Sequence, residues 1–177
     1  MNRNATLASA LAIALAGCTT LTDLPTQTVG ETTLRFANGL PAGTARLMND
    51  GSTVSLAIAV AAMAPGEHGF HLHTTGRCTP TDFTSAGGHL NPGGNTHGKL
   101  SPGGSHLGDL PNLVVSASRT GSAEIVIPGN PETVMRAIFD DDGTALVVHA
   151  GPDDYRTDPA GDAGARIACG VLEPVGG

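Results

Sequence analysis

The sequence predicts an all-β protein with two long functional loops. Glycine and proline account for 25 and 12 of its 177 residues, which favours short strands joined by turns over a helix bundle. Aromatic residues make up only 3% of the chain and hydrophobic residues 40%, so we expect a core of Val, Leu, Ile and Ala. The length fits one domain. The formal net charge of -7 argues against a nucleic-acid partner, because phosphate recognition needs a basic surface.

The strand prediction rests on nine segments with an alternating or continuous apolar pattern between turn signals. These are residues 32–37, 43–48, 53–63, 67–73, 113–119, 123–128, 133–139, 144–149 and 166–172. The Asn-Asp-Gly and Asp-Asp-Gly sequences at 49–51 and 141–143 indicate hairpins.

Residues 134–139 also fit a helix by pattern, but the adjoining Asp-Gly turn and the Val-rich segment 145–149 favour an antiparallel pair. Residues 74–111 and 150–165 have no strand pattern, and loops of that length inside a domain are usually functional.

The N-terminal segment predicts export. A short positive start precedes an apolar run at residues 7–16, which has the length of a signal peptide and is too short to span a bilayer. The run ends in Leu-Ala-Gly-Cys18, which resembles the lipobox of bacterial lipoproteins, in which the cysteine takes a lipid and becomes the new N-terminus.

We therefore expect residues 1–17 to be a cleaved signal peptide, residues 18–30 a lipidated tether and residues 31–177 the domain. Membrane contact is expected only through the lipid on Cys18. Thr19 follows the cysteine in place of Asp, which favours anchoring to the outer membrane, facing the periplasm. Simple secretion after ordinary signal-peptidase cleavage is the alternative.

Export also bears on the cysteines. Lipidation uses Cys18 and leaves Cys78 and Cys169 in an oxidising compartment, where a disulfide is favoured. Two free thiols are the alternative.

Histidine spacing indicates a metal site near the second half of the 67–73 segment. His71 and His73 are two residues apart on a predicted strand, so their rings project from the same face. His68 lies on the opposite face, and we expect it to make structural hydrogen bonds. His149 ends another predicted strand and can supply a third imidazole. Imidazole suits copper as well as zinc, so a redox-active ion is allowed here. One buried and one exposed histidine is the simpler alternative for the 71/73 pair.

The first long loop contains a second set of metal-binding side chains. Three imidazoles and one carboxylate make a closed tetrahedral set suited to zinc. The set consists of His89, His97, His106 and Asp109. Solvent-exposed loop histidines are the alternative interpretation.

Together these motifs resemble the copper-zinc superoxide dismutases, over about residues 31–172. The motifs are GFHLH at 69–73 with GRC at 76–78, GGHLNP at 87–92, GSHLGDL at 104–110, LVVH at 146–149, and the segment 161–170 with Arg166 and Cys169. The resemblance implies an eight-stranded antiparallel Greek-key sandwich or barrel. It also implies an enzyme that converts superoxide to dioxygen and hydrogen peroxide, with copper and zinc as cofactors, and so protects the cell envelope.

The family pattern further implies a role for each side chain. Copper would be held by His71, His73, His89 and His149, and zinc by His89, His97, His106 and Asp109. His89 would bridge both ions and, with Arg166, take part in catalysis. Asp153 would link a copper histidine, His71, to a zinc histidine, His97.

Two other functions remain as alternatives at this stage. A metal-storing relative without turnover would not require Arg166 and a bridging His89 beside a complete copper set. A zinc hydrolase is disfavoured because the zinc set is closed and the sequence has no His-Glu-x-x-His motif. With five aromatic residues and no obvious apolar interface stripe we expect a monomer, with a homodimer as the alternative.

Overall fold

The computed structural model describes residues 25–175, so the signal segment, Cys18 and most of the predicted tether lie outside the described part. Within it the chain forms ten strands, one α-helix and a 3-10 turn at Thr84–Ala86. The elements are β1 Gln27–Phe36, β2 Pro41–Asn49, β3 Val54–Ala61, β4 Gly66–His68, β5 Phe70–His73, β6 Leu113–Val115, β7 Thr120–Ile127, α1 Pro131–Ile138, β8 Ala145–His149, β9 Arg166–Val171 and β10 Glu173–Pro174. Strand β1 begins at Gln27, inside the segment that the sequence assigned to the tether.

The strands form an antiparallel sheet that curls on itself. Its order is β5-β8-β9-β1-β2-β3-β7, β10 extends β9 along β1, and β4 pairs with β6. Strand β6 leads into β7 through a tight turn in which Ser116 N donates to Thr120 O (2.9 Å). Since β4 and β5 are halves of one interrupted strand, as are β9 and β10, the fold has eight strands. The predicted all-β, eight-stranded class with two long loops is confirmed.

The core consists of aliphatic side chains that alternate along the strands, as the composition indicates. In β3, Val54, Leu56, Ile58 and Val60 are all buried, with more exposed residues between them. Burying such a side chain contributes roughly 1.5–3 kcal/mol. The predicted hairpin at 49–51 is confirmed, because it joins β2 to β3 with Asn49 opposite Val54.

The strand prediction for residues 133–139 is wrong, because this segment lies mostly in α1. Val134 and Ile138, four residues apart, are buried, whereas a strand would place Arg136 on the same face as both. Asn130 caps the helix by accepting from Glu132 N (3.0 Å) and Thr133 N (3.3 Å). The Asp-Asp-Gly turn at 141–143 therefore joins α1 to β8 and is not a hairpin.

The predicted strand 67–73 is interrupted at Gly69. Gly69 N donates to Gly151 O and Gly69 O accepts from His149 N, both at 2.8 Å. A Cβ at this position would lie 3.0 Å from Ala163 Cβ and 3.2 Å from the His71 ring. The glycine thus lets the chain pass from β4 to β5 against the second long loop.

The two predicted loops are confirmed as long connections, and apart from the 3-10 turn they have no helix or strand among the described residues. Among residues 25–175 no helix has the length and apolar character needed to cross a bilayer.

Candidate metal centre

Two strands and one loop bring four imidazoles together. His71 and His73 lie on β5, His149 ends the neighbouring strand β8, and His89 comes from the first long loop. Their ligand nitrogens lie within 4.8 Å of one another, and all four residues are buried. The sequence-predicted copper set is therefore assembled in one place.

The first long loop is fixed to β5 at two points, Leu90 and Gly108. Leu72 O accepts from Leu90 N (2.8 Å) and Leu72 N donates to Gly108 O (3.0 Å). These bonds place His89 beside His73 and Asp109 beside His71. Side chains that are distant in sequence therefore reach the same site through ordinary backbone pairing.

Each strand histidine uses one ring nitrogen to hold its orientation. His71 Nε2 donates to Asp153 Oδ2 (2.7 Å), His73 Nδ1 to Gly87 O (3.0 Å) and His149 Nδ1 to Gly164 O (3.1 Å). A backbone carbonyl can only accept, so the protons of the last two rings lie on Nδ1. Their second nitrogens are left with lone pairs.

Those three second nitrogens, and Nε2 of the loop residue His89, lack any hydrogen-bond partner among the described residues. They are His71 Nδ1, His73 Nε2, His89 Nε2 and His149 Nε2, all fully buried. A buried polar atom without a partner costs roughly 1–3 kcal/mol, so four such atoms facing one another need an explanation. A metal ion bound by all four satisfies them at once, and imidazole is a good ligand for copper.

The protonation state of the three strand histidines suits metal binding. Burial lowers the pKa of His71 and His149 to about 4 and that of His73 to about 2. The rings are therefore neutral at pH 7, the form in which imidazole binds a metal.

A second cluster gathers around Asp109. Its Oδ1 lies 2.7 Å from His89 Nδ1, 3.0 Å from His97 Nδ1 and 3.1 Å from His106 Nδ1. A tetrahedral zinc site with bonds of 2.0–2.1 Å has ligand atoms about 3.3 Å apart, close to these separations. Burial raises the pKa of Asp109, but hydrogen bonds from His89 and the Gly98 N–H outweigh it and hold the pKa well below its usual range. The carboxylate is therefore ionised.

One imidazole belongs to both clusters. His89 directs Nε2 toward the strand histidines and Nδ1 toward Asp109, at the distance given above. The structure therefore places this ring where a single side chain faces two metal sites.

Asp153 connects the clusters from behind. Its Oδ2 accepts from His71, and its Oδ1 accepts from His97 Nε2 (3.0 Å) and Tyr155 N (2.6 Å). Burial raises the pKa of Asp153, but the hydrogen bonds from His71 and His97 lower it by more. The net pKa is below the ordinary value, so the carboxylate stays ionised. Gly161, at φ +67°, packs directly on Asp153 Oδ1, and any Cβ there would overlap the oxygen.

Arg166 reaches the copper cluster through a carbonyl group that it shares with a ligand. Its guanidinium donates to Phe83 O and Gly87 O, both at 2.7 Å, and Gly87 O also accepts from His73. The predicted disulfide is confirmed: Cys78 joins Cys169 with Cα atoms 5.7 Å apart. It fastens the segment that carries these carbonyls to β9.

His68 lies outside both clusters, as expected for a structural residue. Its Nδ1 is 2.7 Å from His149 O and its Nε2 is 2.9 Å from Ala64 O. The carbonyls of Gly87 and Gly164, which orient His73 and His149, were not identified from sequence. A backbone acceptor has no side-chain signature. The only signal in the sequence is that Gly87 lies two positions before His89 and Gly164 two positions before Arg166.

A β-barrel in which one buried imidazole joins an all-histidine set to a three-histidine, one-aspartate set defines a class of dinuclear metalloprotein. Residues 41–172 match the family model described as copper/zinc superoxide dismutase (SODC), and the chain belongs to this family of oxidoreductases. The two clusters fit the family's copper and zinc.

Relatives agree with this assignment. The copper-zinc superoxide dismutase 2 of Aquifex aeolicus is 42% identical over 136 residues, which are 73% of this chain and 78% of the relative. That of Caulobacter vibrioides is 38% identical over 149 residues, 79% of this chain and 83% of the relative.

Solved structures show the same fold. A double mutant of a superoxide dismutase-like protein from Bacillus subtilis superposes with a TM-score of 0.75 at 37% identity, covering 82% of this chain and 99% of that one. The Cu/Zn superoxide dismutase from Brucella abortus gives a TM-score of 0.66 at 28% identity, covering 84% and 100%.

Proposed function

We propose that this protein dismutes superoxide in the cell envelope with copper held by His71, His73, His89 and His149. Zinc is held by His89, His97, His106 and Asp109. The observation that carries the proposal is the set of four buried, unpaired imidazole nitrogens that face one another. A protein that bound only zinc, through Nδ1 of His89 at the Asp109 cluster, would leave all four of these nitrogens without a partner.

When bound, copper supplies a reversible one-electron couple, by which one superoxide is oxidised to dioxygen and a second is reduced to peroxide. The second step consumes two protons per hydrogen peroxide. Zinc has no redox chemistry in proteins, so its contribution is to hold the loop and the Nδ1 of His89 in place.

His89 is suited to hold one of these protons at Nε2. That nitrogen has no partner among the described residues, and its ring is kept in position from the other side by the Asp109 cluster. The ring can therefore carry a proton at Nε2 whenever that nitrogen is not bound to copper, and give it up without moving far.

Arg166 is suited to attract the substrate. Its guanidinium is held by the carbonyl oxygens of Phe83 and Gly87, and Gly87 O also accepts from His73. The positive charge of Arg166 is therefore fixed beside the copper cluster. A fixed positive charge raises the local concentration of an anion such as superoxide, even on a protein with net charge -7.

The location in the envelope rests on the sequence of the first 18 residues. We propose a lipid on Cys18 that anchors the enzyme to the outer membrane, facing the periplasm. Changing Cys18 to Ser should move the protein from the membrane fraction to the soluble fraction. Unchanged fractionation would exclude the lipid anchor.

We further propose that the domain acts as a monomer. The exposed large hydrophobic residues in the described part are few and belong to separate segments; they are Leu40, Leu100, Val114, Val126 and Val175. Sedimentation of the purified domain at micromolar concentration tests this, with a dimer as the contrary result.

A metal-storing protein without turnover is the competing function. The test is superoxide decay after pulse generation, measured with protein loaded with copper and zinc and with protein loaded with zinc alone. We expect catalytic decay only in the first sample. Stoichiometric metal binding without catalytic decay would favour storage.

A further inference from the structure

Asn112 joins the two long loops through the backbone of Asp153. Its Oδ1 accepts from Asp153 N (2.8 Å), and its Nδ2 donates to Asp153 O (3.0 Å). Asn112 lies three residues after the zinc-loop carboxylate Asp109 and just before β6, while Asp153 lies in the second loop. One amide side chain therefore satisfies both the backbone donor and the backbone acceptor of a residue 41 positions away.

Tyr155 completes this connection. Asn112 N donates to the Tyr155 hydroxyl (2.8 Å), and Tyr155 N donates to Asp153 Oδ1 (2.6 Å). Tyr155 O also accepts from Leu100 N (3.1 Å) in the first long loop. We call Asn112, Asp153 and Tyr155 the loop clamp.

The position of Asp153 leaves little freedom. Its two carboxylate oxygens serve different rings, His71 at 2.7 Å and His97 at 3.0 Å, and neither Asp153 nor the rings are exposed. Hydrogen bonds weaken steeply as they lengthen and bend, so a backbone shift of about 1 Å at Asp153 would sacrifice one of the two. The two carboxylate hydrogen bonds therefore require that the backbone of Asp153 be held in place by other contacts.

We infer that Asn112 is a positioning residue for both metal sites, an inference that rests on the ligand sets proposed above. It holds the Asp153 backbone so that one carboxylate orients His71 and His97 together. Asn112 makes no hydrogen bond to the ring of any proposed ligand, so its influence on the metals passes through Asp153.

The inference is tested by zinc affinity, measured by chelator competition on the full mature chain. Outer partners of metal ligands typically contribute 10–100-fold to affinity, so Asp153→Ala should weaken zinc by about that factor and Asn112→Ala by about tenfold. In the double variant, removing Asn112 should add little to the loss from Asp153→Ala, because both act through one carboxylate. Additive losses, or an unchanged affinity in Asn112→Ala, would overturn the inference.

A matched control separates positioning from general loss of stability. Asn130→Ala removes the two hydrogen bonds that cap α1, a helix that supplies no proposed metal ligand, and should lower thermal stability without changing zinc affinity. The visible spectrum of cobalt bound at the zinc site supplies a second readout. Its bands should change in Asn112→Ala and not in Asn130→Ala; equal changes in both would contradict a positioning role.

A gentler variant guards against misfolding of Asn112→Ala. Tyr155→Phe removes only the hydroxyl that accepts from Asn112 N, and keeps the ring that lies 4.0 Å from Lys99 Nζ. We expect a smaller zinc loss, about threefold, which vanishes in the Asp153→Ala background. A loss that persists there would count against the clamp. If wild-type protein bound no zinc, the proposed function would fail as well, whereas tight wild-type binding with unaffected variants would remove only this inference.

Discussion

The copper and zinc halves of the metal centre differ in the structural elements that carry their side chains. The copper half takes three of its four rings from the paired strands β5 and β8, where ladder hydrogen bonds fix the backbone. The zinc half takes all four side chains from one loop, between His89 and Asp109. The sheet therefore positions one site, and the other depends on how a segment without regular structure is held.

The hydrogen bonds differ accordingly. In the copper half, each strand ring donates its proton away from the cluster, to Asp153, Gly87 O or Gly164 O, and leaves a lone pair facing inward. In the zinc half, three Nδ1 atoms crowd around one oxygen of the Asp109 carboxylate, and the His97 ring is shared between Asp109 and Asp153. The strand rings of the copper half are thus oriented by partners outside their cluster, whereas the rings of the zinc half are oriented mainly by a member of the cluster itself, Asp109. Zinc removal should loosen the loop more than copper removal.

The largest expected effect is a loss of stability of the metal-free domain in mild acid, which probes the preformed copper half. The pKa of His71, His73 and His149 lies well below 6.5 in the folded state, so below pH 6.5 the unfolded chain binds more protons than the folded one. Stability therefore falls as the pH drops from about 6.5 toward 4. Each ring contributes on the order of 2 kcal/mol between pH 7 and pH 5.

Urea unfolding of the metal-free domain at pH 7 and pH 5 measures this loss. The lowered pKa values of Asp109 and Asp153 act only below about pH 4, outside this window. His149→Asn is the matched variant, because its amide can still donate to Gly164 O but does not titrate. It should lose roughly a quarter to a third of the pH dependence, because burial also lowers the pKa of His89, which adds to that of the three strand histidines. An unchanged slope would mean that the copper half is not held neutral by burial.

The disulfide gives the next largest effect and shows where the copper half also depends on a loop. Cys78 is tied to Cys169, 91 positions away, and the segment behind it provides Phe83 O and Gly87 O. Replacing both cysteines by Ser should lower the free energy of unfolding by roughly 4–5 kcal/mol in the chain-entropy model. Equilibrium urea curves of oxidised wild type and variant measure this. A decrease below about 1 kcal/mol would show that packing of Phe83 holds the segment by itself.

The same contrast decides what the sequence predicts well. Strand alternation and the His-x-His pair follow from local periodicity, so the barrel and the direction of His71 and His73 were predictable. Residues 133–139 were not, because two buried residues four apart fit both a strand face and a helix face. The signals that distinguish the helix are the cap residue Asn130 and the following Pro131 at the first helical position.

The loop side chains illustrate a different limit. The family pattern identified His89, His97, His106 and Asp109, but no local rule shows that Leu72 pairs with Leu90 and Gly108 of the loop. Nor does it show that Asn112 binds the Asp153 backbone. Such contacts join residues tens of positions apart through main-chain atoms, which every residue possesses, so their partners are visible only in the folded chain.

Asp109→Ala tests whether the two halves are separable. Asp109 is a proposed zinc ligand, and its Oδ2 also accepts from Gly98 N (2.7 Å) and His106 N (3.0 Å). Zinc affinity should fall by more than about 100-fold, beyond the range of outer partners, and copper affinity by less than about tenfold. His149→Ala should produce the reverse pattern. Chelator competition with each ion measures both. Equal losses of both metals in either variant would show that the halves form one cooperative site.

The smallest effect concerns Arg166, which lies on β9 at the copper half and carries the charge that the substrate meets. Arg166→Glu should slow turnover by roughly tenfold, the low end of electrostatic steering effects, while copper and zinc contents stay unchanged. Arg166→Gln, whose side chain is neutral, should have a turnover rate between those of the wild type and of Arg166→Glu. Steady-state superoxide decay, with metal analysis of each sample, gives these numbers. A loss of copper in the Glu variant would instead indicate that Gly87 O, and with it His73, had moved.

Salt dependence distinguishes a local field from contact alone. At about 0.15 M salt, charges more than roughly 8 Å apart are largely screened. If Arg166 attracts the anion before contact, added salt slows the wild type, leaves Arg166→Gln nearly constant and speeds Arg166→Glu, in which it screens repulsion. A wild type that accelerates with salt would show that the acidic side chains behind the net charge of -7 dominate the approach. Arg166 would then act only on substrate that has already reached the copper half, through the guanidinium that Phe83 O and Gly87 O hold in place.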